Sequence, residues 1–301
     1  VQGSLALGSA LRQGTKSGEA VGVMLPSGAG AVIGFFALSA FNRIPAMLNF
    51  TAGSRNLKAA LKAGQISRII TAHKFVELGG LEALMEELSG SAEIVYLEDV
   101  RENLTLANKL IAAVGNILPG LVRKQSRYKS PGVMLFTSGT EGEPKGVVLS
   151  HENALANVEQ VRAHIGLSPD TDSLFNPLPT FHCFGLTVGA VLPLVAGIPV
   201  IFHPSPLQPR EIVRRIRANQ STILLATDTF ISQYARIGND GDMSSVRLAV
   251  CGAERVKDET RALVRRKFEI EILEGYGATE ASPVIAANKW EDNRPGTVGR
   301  L

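Results

Sequence analysis

Residues 246–277 read VRLAVCGAERVKDETRALVRRKFEIEILEGYG. The apolar run VRLAVCG suits a buried strand, the charge-rich KDETRALVRRKF suits a helix, and EIEILEGYG suits a second strand. A strand, a helix and another strand within about thirty residues is the unit from which parallel sheets are built. The same rhythm extends upstream. A helix is expected over 152–164, then IPVIF as a strand, PREIVRRIRANQ as a helix and TILLAT as a strand.

The first half repeats it. VGVML (21–25) precedes the apolar AVIGFFALSA (31–40), and SRNLKAALKAG offers Ser54 to cap a helix start and Gly64 to end it. SRIITA (67–72) precedes the helical LEALMEELSG, and EIVYL (93–97) precedes a helical stretch near 103–117. The expected fold is therefore α/β, with two mainly parallel sheets covered by helices. The Pro/Gly-bounded basic segment PGLVRKQSRYKSPG (119–132) is the natural linker, which gives subdomains at 1–130 and 131–301.

The 301 residues, 45% of them hydrophobic, suffice for substantial cores. A net charge of +3 without an aromatic-plus-basic cluster gives no footprint for nucleic acid. Cys183 and Cys251 have neither metal nor disulfide spacing, which fits a reducing compartment. The stretches Ala20–Asn42 and Ser173–Pro209 contain no Asp, Glu, Lys or Arg and are long enough to cross a bilayer. Internal prolines and glycines split each more naturally into a buried strand and a buried helix. No signal peptide is visible.

Gly28-x-Gly30-x-x-x-Gly34 mimics a dinucleotide-binding turn. That chemistry calls for an acidic residue about 20 positions on to hold a ribose hydroxyl, and no Asp or Glu lies between Glu19 and Glu77. A tight strand-to-helix turn explains these glycines without a ligand.

Residues 137–146, TSGTEGEPKG, are different. They are not a P-loop, since no Gly-Lys-Ser/Thr follows the required spacing. Gly139, Gly142 and Gly146 nevertheless allow main-chain N–H groups to converge on an anion. Thr137, Ser138 and Thr140 add hydroxyl donors, Lys145 adds a full positive charge, and Pro144 stiffens the turn before the strand GVVLS.

TSGTEGEPKG resembles the phosphate-binding signature of the adenylate-forming enzymes, which usually carry threonine where this chain has Glu141. FNPLPTFHCFG (175–185), AVCGAE (249–254) and LEGYGATEAS (273–282) resemble three further motifs of that family, in the family's order. The combination with NRIPAMLNFTAG (42–53), IVYLEDV (94–100) and RPGTVGRL is similar to the acyl-acyl-carrier-protein synthetase part of bacterial bifunctional 2-acylglycerophosphoethanolamine acyltransferases. A long-chain fatty acid–CoA ligase and a non-catalytic nucleotide-binding fragment are the alternatives.

The resemblance implies a fatty acid substrate, ATP with Mg²⁺, and acyl carrier protein or coenzyme A as thiol acceptor. It assigns the β- and γ-phosphates to Thr137, Ser138, Gly139, Thr140, Gly142 and Lys145. Thr279 is assigned to the α-phosphate and Glu280 to the metal. Tyr276 and Gly277 fall to the adenine, with Gly252, Ala253 and Glu254 lining the base, and His182 to the border of the acyl site. FGLTVGAVLPLVAG supplies an apolar wall for an alkyl chain. If amides, hydroxyls and Lys145 hold the phosphates, the carboxylates of Glu141 and Glu143 are expected to face solvent or a basic neighbour.

The family's ribose-binding aspartate, hinge and C-terminal lid lysine do not occur by Leu301, so weak turnover by these residues alone is expected. No histidine is followed five residues later by aspartate, which leaves the acyltransferase motif of the bifunctional relatives unmatched. By resemblance the setting is cytoplasmic, at the inner face of the bacterial membrane in a longer protein, with membrane association expected only through parts of that protein outside this chain. Six Lys/Arg and no acidic residue between Ala20 and Val76 offer either an attractive field for an acidic carrier or scattered solvated charge.

Overall fold

The computed structural model describes residues 1–122, 128–138 and 143–299. They form two compact units, Val1–Glu152 and Asn153–Leu301. Each unit is built on one mainly parallel sheet with helices between its strands, as the alternation of the sequence requires.

In the first unit the strands are β1 (Ala20–Val23), β2 (Ile44–Met47), β3 (Arg68–Thr71), β4 (Glu93–Tyr96), β5 (Pro131–Ser138) and β6 (Pro144–Ser150), in the spatial order β4-β3-β1-β2-β5-β6. All neighbours run parallel except the β5–β6 hairpin. β1 is buried at every position, as expected for a strand covered on both faces. Met24, Leu48, Ile69 and Leu88 fill one side of this sheet.

In the second unit β7 (Leu174–Asn176), β8 (Val200–Phe202), β9 (Ile223–Ala226), β10 (Leu248–Cys251), β11 (Glu271–Gly277) and β12 (Val284–Ala287) lie in the order β12-β11-β10-β9-β7-β8. Only β11–β12 is antiparallel. Tyr234, Phe175, Ile272 and Phe268 belong to the core packed on it.

The divide falls after residue 152, not at the linker expected near 130. β5 extends the first sheet by pairing Ala46 with Met134 and Met47 with Leu135, and β6 follows through its hairpin. Residues 119–122 form a short helix, while 123–127 lie outside the described residues. Ser54 is not the cap: Gly53 takes that position and Ser54 is the first helical residue. The helical stretch expected near 103–117 is Leu106–Ile117, preceded by a separate short helix, Leu97–Glu102. Thr105 and Asn108 cap Leu106–Ile117 reciprocally, which sets the break.

Both charge-free stretches divide into strand and helix as expected: β1 with the helix Ala29–Ala40, and β7 and β8 with the helical segments Phe184–Val191 and Leu192–Ala196 between them. Among the described residues no helix is long and apolar enough to cross a membrane. At the Gly28 turn, a Cβ on Gly28 or Gly30 would meet nothing, whereas one on Gly34 would press on Ile70 Cδ1 at 3.1 Å. Close helix–strand packing therefore accounts for Gly34. The basic interval 20–76 is dispersed: Arg43 is buried and donates to the Phe41 carbonyl at 2.5 Å, Arg68 pairs with Glu93, and Lys58 pairs with Glu87.

A buried carboxylate paired with a partly exposed arginine closes the rear of the second sheet. Asp172 accepts from Arg247 Nε and Nη2, each at 2.8 Å, from the Ser168 amide at 2.9 Å and from the Thr222 hydroxyl at 3.1 Å. Burial pushes its carboxyl up, but these donors outweigh burial and hold its pKa below the ordinary 3.8. A carboxyl with a depressed pKa in the folded state contributes stability that is present above the unfolded value and lost as pH falls through the folded one. Asp172→Asn should therefore lower stability at neutral pH and flatten its decline below about pH 4, read from urea midpoints across pH.

Candidate active site

In the first unit, the antiparallel register places Thr137 opposite Lys145 and Ser138 opposite Pro144. Gly139, Thr140, Glu141 and Gly142 lie outside the described residues. Lys145 and Glu143 are both solvent-exposed, the latter as expected for a carboxylate that stays off an anion site.

In the second unit a cavity of about 560 Å³ opens beyond the carboxyl end of β10. Gly252, Ala253, Tyr276, Gly277, Thr279 and His182 all line it. Five of these come from the ends of neighbouring parallel strands, where open α/β sheets place their ligands. Tyr276, near the end of β11, is 56% exposed and lines the cavity, where its ring can lie against a planar partner. Gly277 is required by packing, because a Cβ there would collide with the Pro283 carbonyl oxygen. The following turn, Thr279–Ala281, carries Thr279 and Glu280. Glu280 is exposed and lies outside the cavity lining.

Glu254 does not line the cavity. Its Oε2 accepts from the Thr229 amide at 3.0 Å and the Thr229 hydroxyl at 2.8 Å. That places a negative charge at the start of the helix Asp228–Ile237, where the exposed amides favour it. With the side chain so occupied, Ala253 is the residue turned to the cavity, in the left-handed region at φ 67°.

The opposite wall is apolar. Phe184–Val191 forms a π-helix buried along its whole length, a rare geometry often found at functional sites. Gly185 and Gly189 permit it: a Cβ at either would strike the Pro179 carbonyl or the Asn176 side-chain amide. Asn176 in turn donates to the Gly185 carbonyl at 2.9 Å and accepts from Leu178 N at 3.0 Å. His182 precedes this wall. Burial holds its pKa below the usual 6.5, so the ring is neutral at pH 7. Burial also pushes the Cys183 thiol up to about 11 and raises that of Cys251, so both cavity-lining cysteines stay protonated.

Sequence reasoning missed the residues that fix the walls. Asn157 exchanges hydrogen bonds with both backbone groups of Val284, at 2.8 and 3.1 Å, and His164 Nε2 meets the Ala287 carbonyl at 2.8 Å, clipping the helix His151–Ile165 to β12. Glu274 is buried in β11. It accepts from Val256 N at 2.9 Å, Arg261 Nη2 at 2.5 Å and Gly296 N at 2.9 Å. A carboxylate between Leu273 and Gly275 in a buried strand was the available signal, since such a charge needs dedicated partners.

A profile of the family described as AMP-binding enzyme matches residues 2–301. The chain belongs to that family. It is 26% identical over 327 residues to a long-chain-fatty-acid–CoA ligase of Bacillus subtilis, covering 95% of this chain and 55% of that protein. A Salmonella typhimurium protein of the same description is 26% identical over 318 residues, covering 95% and 56%. The chain thus spans about half the length of the curated relatives it matches. Two solved structures share the fold. Anthranilate CoA ligase AuaEII, in complex with anthranoyl-AMP, has a TM-score of 0.82 at 22% identity, covering 99% of this chain and 57% of that one. O-succinylbenzoate coenzyme A synthetase of Bacillus subtilis, in complex with ATP and magnesium, has a TM-score of 0.82 at 16% identity, covering 99% and 58%. The relatives are described as CoA ligases, so they support the acyl-activating family and leave the carrier-protein resemblance a narrower matter.

Removing one partner of a buried ion pair strands the other charge, at a cost of about 3–5 kcal/mol. Arg261→Met should destabilise the chain by an amount of that order in urea unfolding, because the side chains of Arg261 and Glu274 are only 14% and 5% exposed.

Proposed function

We propose that this chain carries the acid-adenylating part of an ATP-dependent acid–thiol ligase acting on fatty acids. A carboxylate oxygen attacks the α-phosphorus of ATP, and pyrophosphate leaves with the bonding electrons. The acyl-AMP that results is then open to a phosphopantetheine thiol, which loses its proton as it bonds to the acyl carbon and displaces AMP. Both displacements build charge on phosphate oxygens, so fixed donors are the effective catalysts.

The observation that carries this reading is the meeting of Tyr276, Gly252, Ala253 and Thr279 on one cavity whose far wall is the apolar Phe184–Val191 helix. The exposed Tyr276 ring is assigned to stack on adenine, and the main chain at Gly252–Ala253 to border the base. Glu254 acts at a distance by fixing that turn through Thr229. Thr279, whose hydroxyl carries no hydrogen bond among the described residues, is assigned to the α-phosphate. Thr137 and Lys145, with Ser138, Gly139, Thr140 and Gly142, are assigned to the β- and γ-phosphates. The neutral His182 ring borders the acyl carbon's path as a gate and is not needed as a general base.

Glu280 fits a magnesium ion in a limited way. Magnesium is usually held by one or two carboxylates together with substrate phosphates and water. Glu280 is one exposed carboxylate, and the described residues contain no group of three potential protein ligands. When bound, the ion would neutralise phosphate charge.

The acceptor is assigned to acyl carrier protein on the extended motif resemblance. Coenzyme A is the second reading, favoured by the descriptions of the relatives.

Exchange of labelled pyrophosphate into ATP, run on the full-length protein across fatty acids, tests the first step. Carrier protein and coenzyme A compared as acceptors test the second. Stacking on a base is worth about 1–3 kcal/mol, so Tyr276→Ala should weaken ATP binding about fivefold or more. Thr279→Ala should lower exchange with little change in affinity. Exchange at wild-type rate in both variants would contradict the assignment.

A further inference from the structure

The helix His151–Ile165 turns a mixed face to the cavity of the second unit. Asn157, Gln160, Val161, His164 and Ile165 all line it, and steps of three and four residues place them on one side of the helix. Val161 and Ile165 match the apolar lining that Val188 and Val250 give other walls. Asn157, Gln160 and His164 do not. Polar groups set sparsely into an apolar lining are the ones that orient and select a ligand.

The backbone of β12 fixes how these side chains are turned. Asn157 donates through Nδ2 to the Val284 carbonyl at 2.8 Å and accepts at Oδ1 from the Val284 amide at 3.1 Å. Its amide cannot be reversed without losing both bonds. Nδ2 also donates to Gln160 Oε1 at 3.2 Å, which orients the Gln160 amide in turn. His164 Nε2 lies 2.8 Å from the Ala287 carbonyl, which can only accept, so that nitrogen carries a proton. In an imidazole with its one proton placed there, Nδ1 is an acceptor. Gln160 Nε2 and His164 Nδ1 make no hydrogen bond among the described residues.

A donor and an acceptor thus stand about one helical turn apart on the cavity wall. Residues four apart have Cβ atoms about 5–6 Å from each other. One oxygen atom with a hydrogen bond of about 2.8 Å on either side can span that gap. A hydroxyl meets both groups, because it accepts from the Gln160 amide and donates to His164 Nδ1. A carbonyl would meet only the first, and an ammonium only the second. A plain alkyl chain meets neither, and it displaces water from both without replacing the lost bonds.

The pair is also set back from the reacting end. Val284 pairs with Gly277 and Ala287 with Gly275, so from Gln160 to His164 the wall recedes along β11 from Thr279. Its partner belongs to the chain of a bound acid, not to the carboxylate.

We propose that Gln160 and His164 together select acids whose chain carries a hydroxyl group, which makes hydroxylated fatty acids the substrate class. This rests on the ligase reading above, with the carboxylate directed to the α-phosphate at Thr279.

The test is exchange of labelled pyrophosphate by the full-length protein with dodecanoate and with dodecanoates hydroxylated near the carboxyl, at mid-chain or at the chain end. At least one hydroxylated acid should exceed dodecanoate in kcat/KM by about fivefold or more. Gln160→Met keeps the length of the side chain without its amide, and should bring the ratio of the two kcat/KM values close to one. Gln160 is exposed, so the urea midpoint should not move. His164→Phe, which also loses the Ala287 bond, is the second variant and should lower the same ratio. A purely structural role would lower both acids together and leave the ratio alone, which would overturn the proposal. Wild-type exchange with dodecanoate but no preference for any hydroxylated acid would overturn it too, while the ligase reading stood. Absence of exchange with every acid would end both.

Discussion

A carboxylate buried in a strand has no water to solvate it, and Glu274 meets that constraint with donors from three other segments. Val256 belongs to the turn after β10, Arg261 to the helix Asp258–Phe268, and Gly296 to the loop beyond β12. The demand of one charge therefore sets where the turn bearing Gly252 and Ala253 sits relative to the strand bearing Tyr276. Lys257 N reinforces it by donating to Asp228 at 3.0 Å, and Glu254 binds the same turn to Thr229. Much of the cavity's rigidity in this unit comes from these acidic side chains receiving backbone amides.

The regular part of the fold was open to reading because parallel strands buried on both faces leave apolar runs, and the helices between them leave charge. VGVML, SRIITA, TILLAT and VRLAVCG all became strands close to their expected limits. Features set by distant partners were not open to it. The extension of the first sheet by β5 and β6 depends on pairing with β2, which no local pattern announces. Ser54 has the composition of a cap, but Gly53 takes the position, and the apolar wall adopts π geometry only because Gly185 and Gly189 admit Pro179 and Asn176.

The candidate site divides in the same way. Tyr276, Thr279, Gly252, Ala253 and His182 could be named because motif residues stand next to one another in sequence, and all five line one cavity. Glu254 belonged to the same motif, yet its side chain serves the helix beginning at Asp228. The positioning residues Asn157, His164 and Glu274 bond across gaps of 127, 123 and up to 22 residues. Their roles lie in the tertiary structure.

The protonated cysteines of the cavity have a bearing on chemical fidelity. An acyl phosphate anhydride is attacked by thiolates far more readily than by thiols. A wall thiolate would intercept the activated acyl group and leave the protein itself as a dead-end thioester. Burial at Cys183 and Cys251 denies the wall that ionised form, so in the proposed reaction these two cysteines would not compete with the acceptor sulfur.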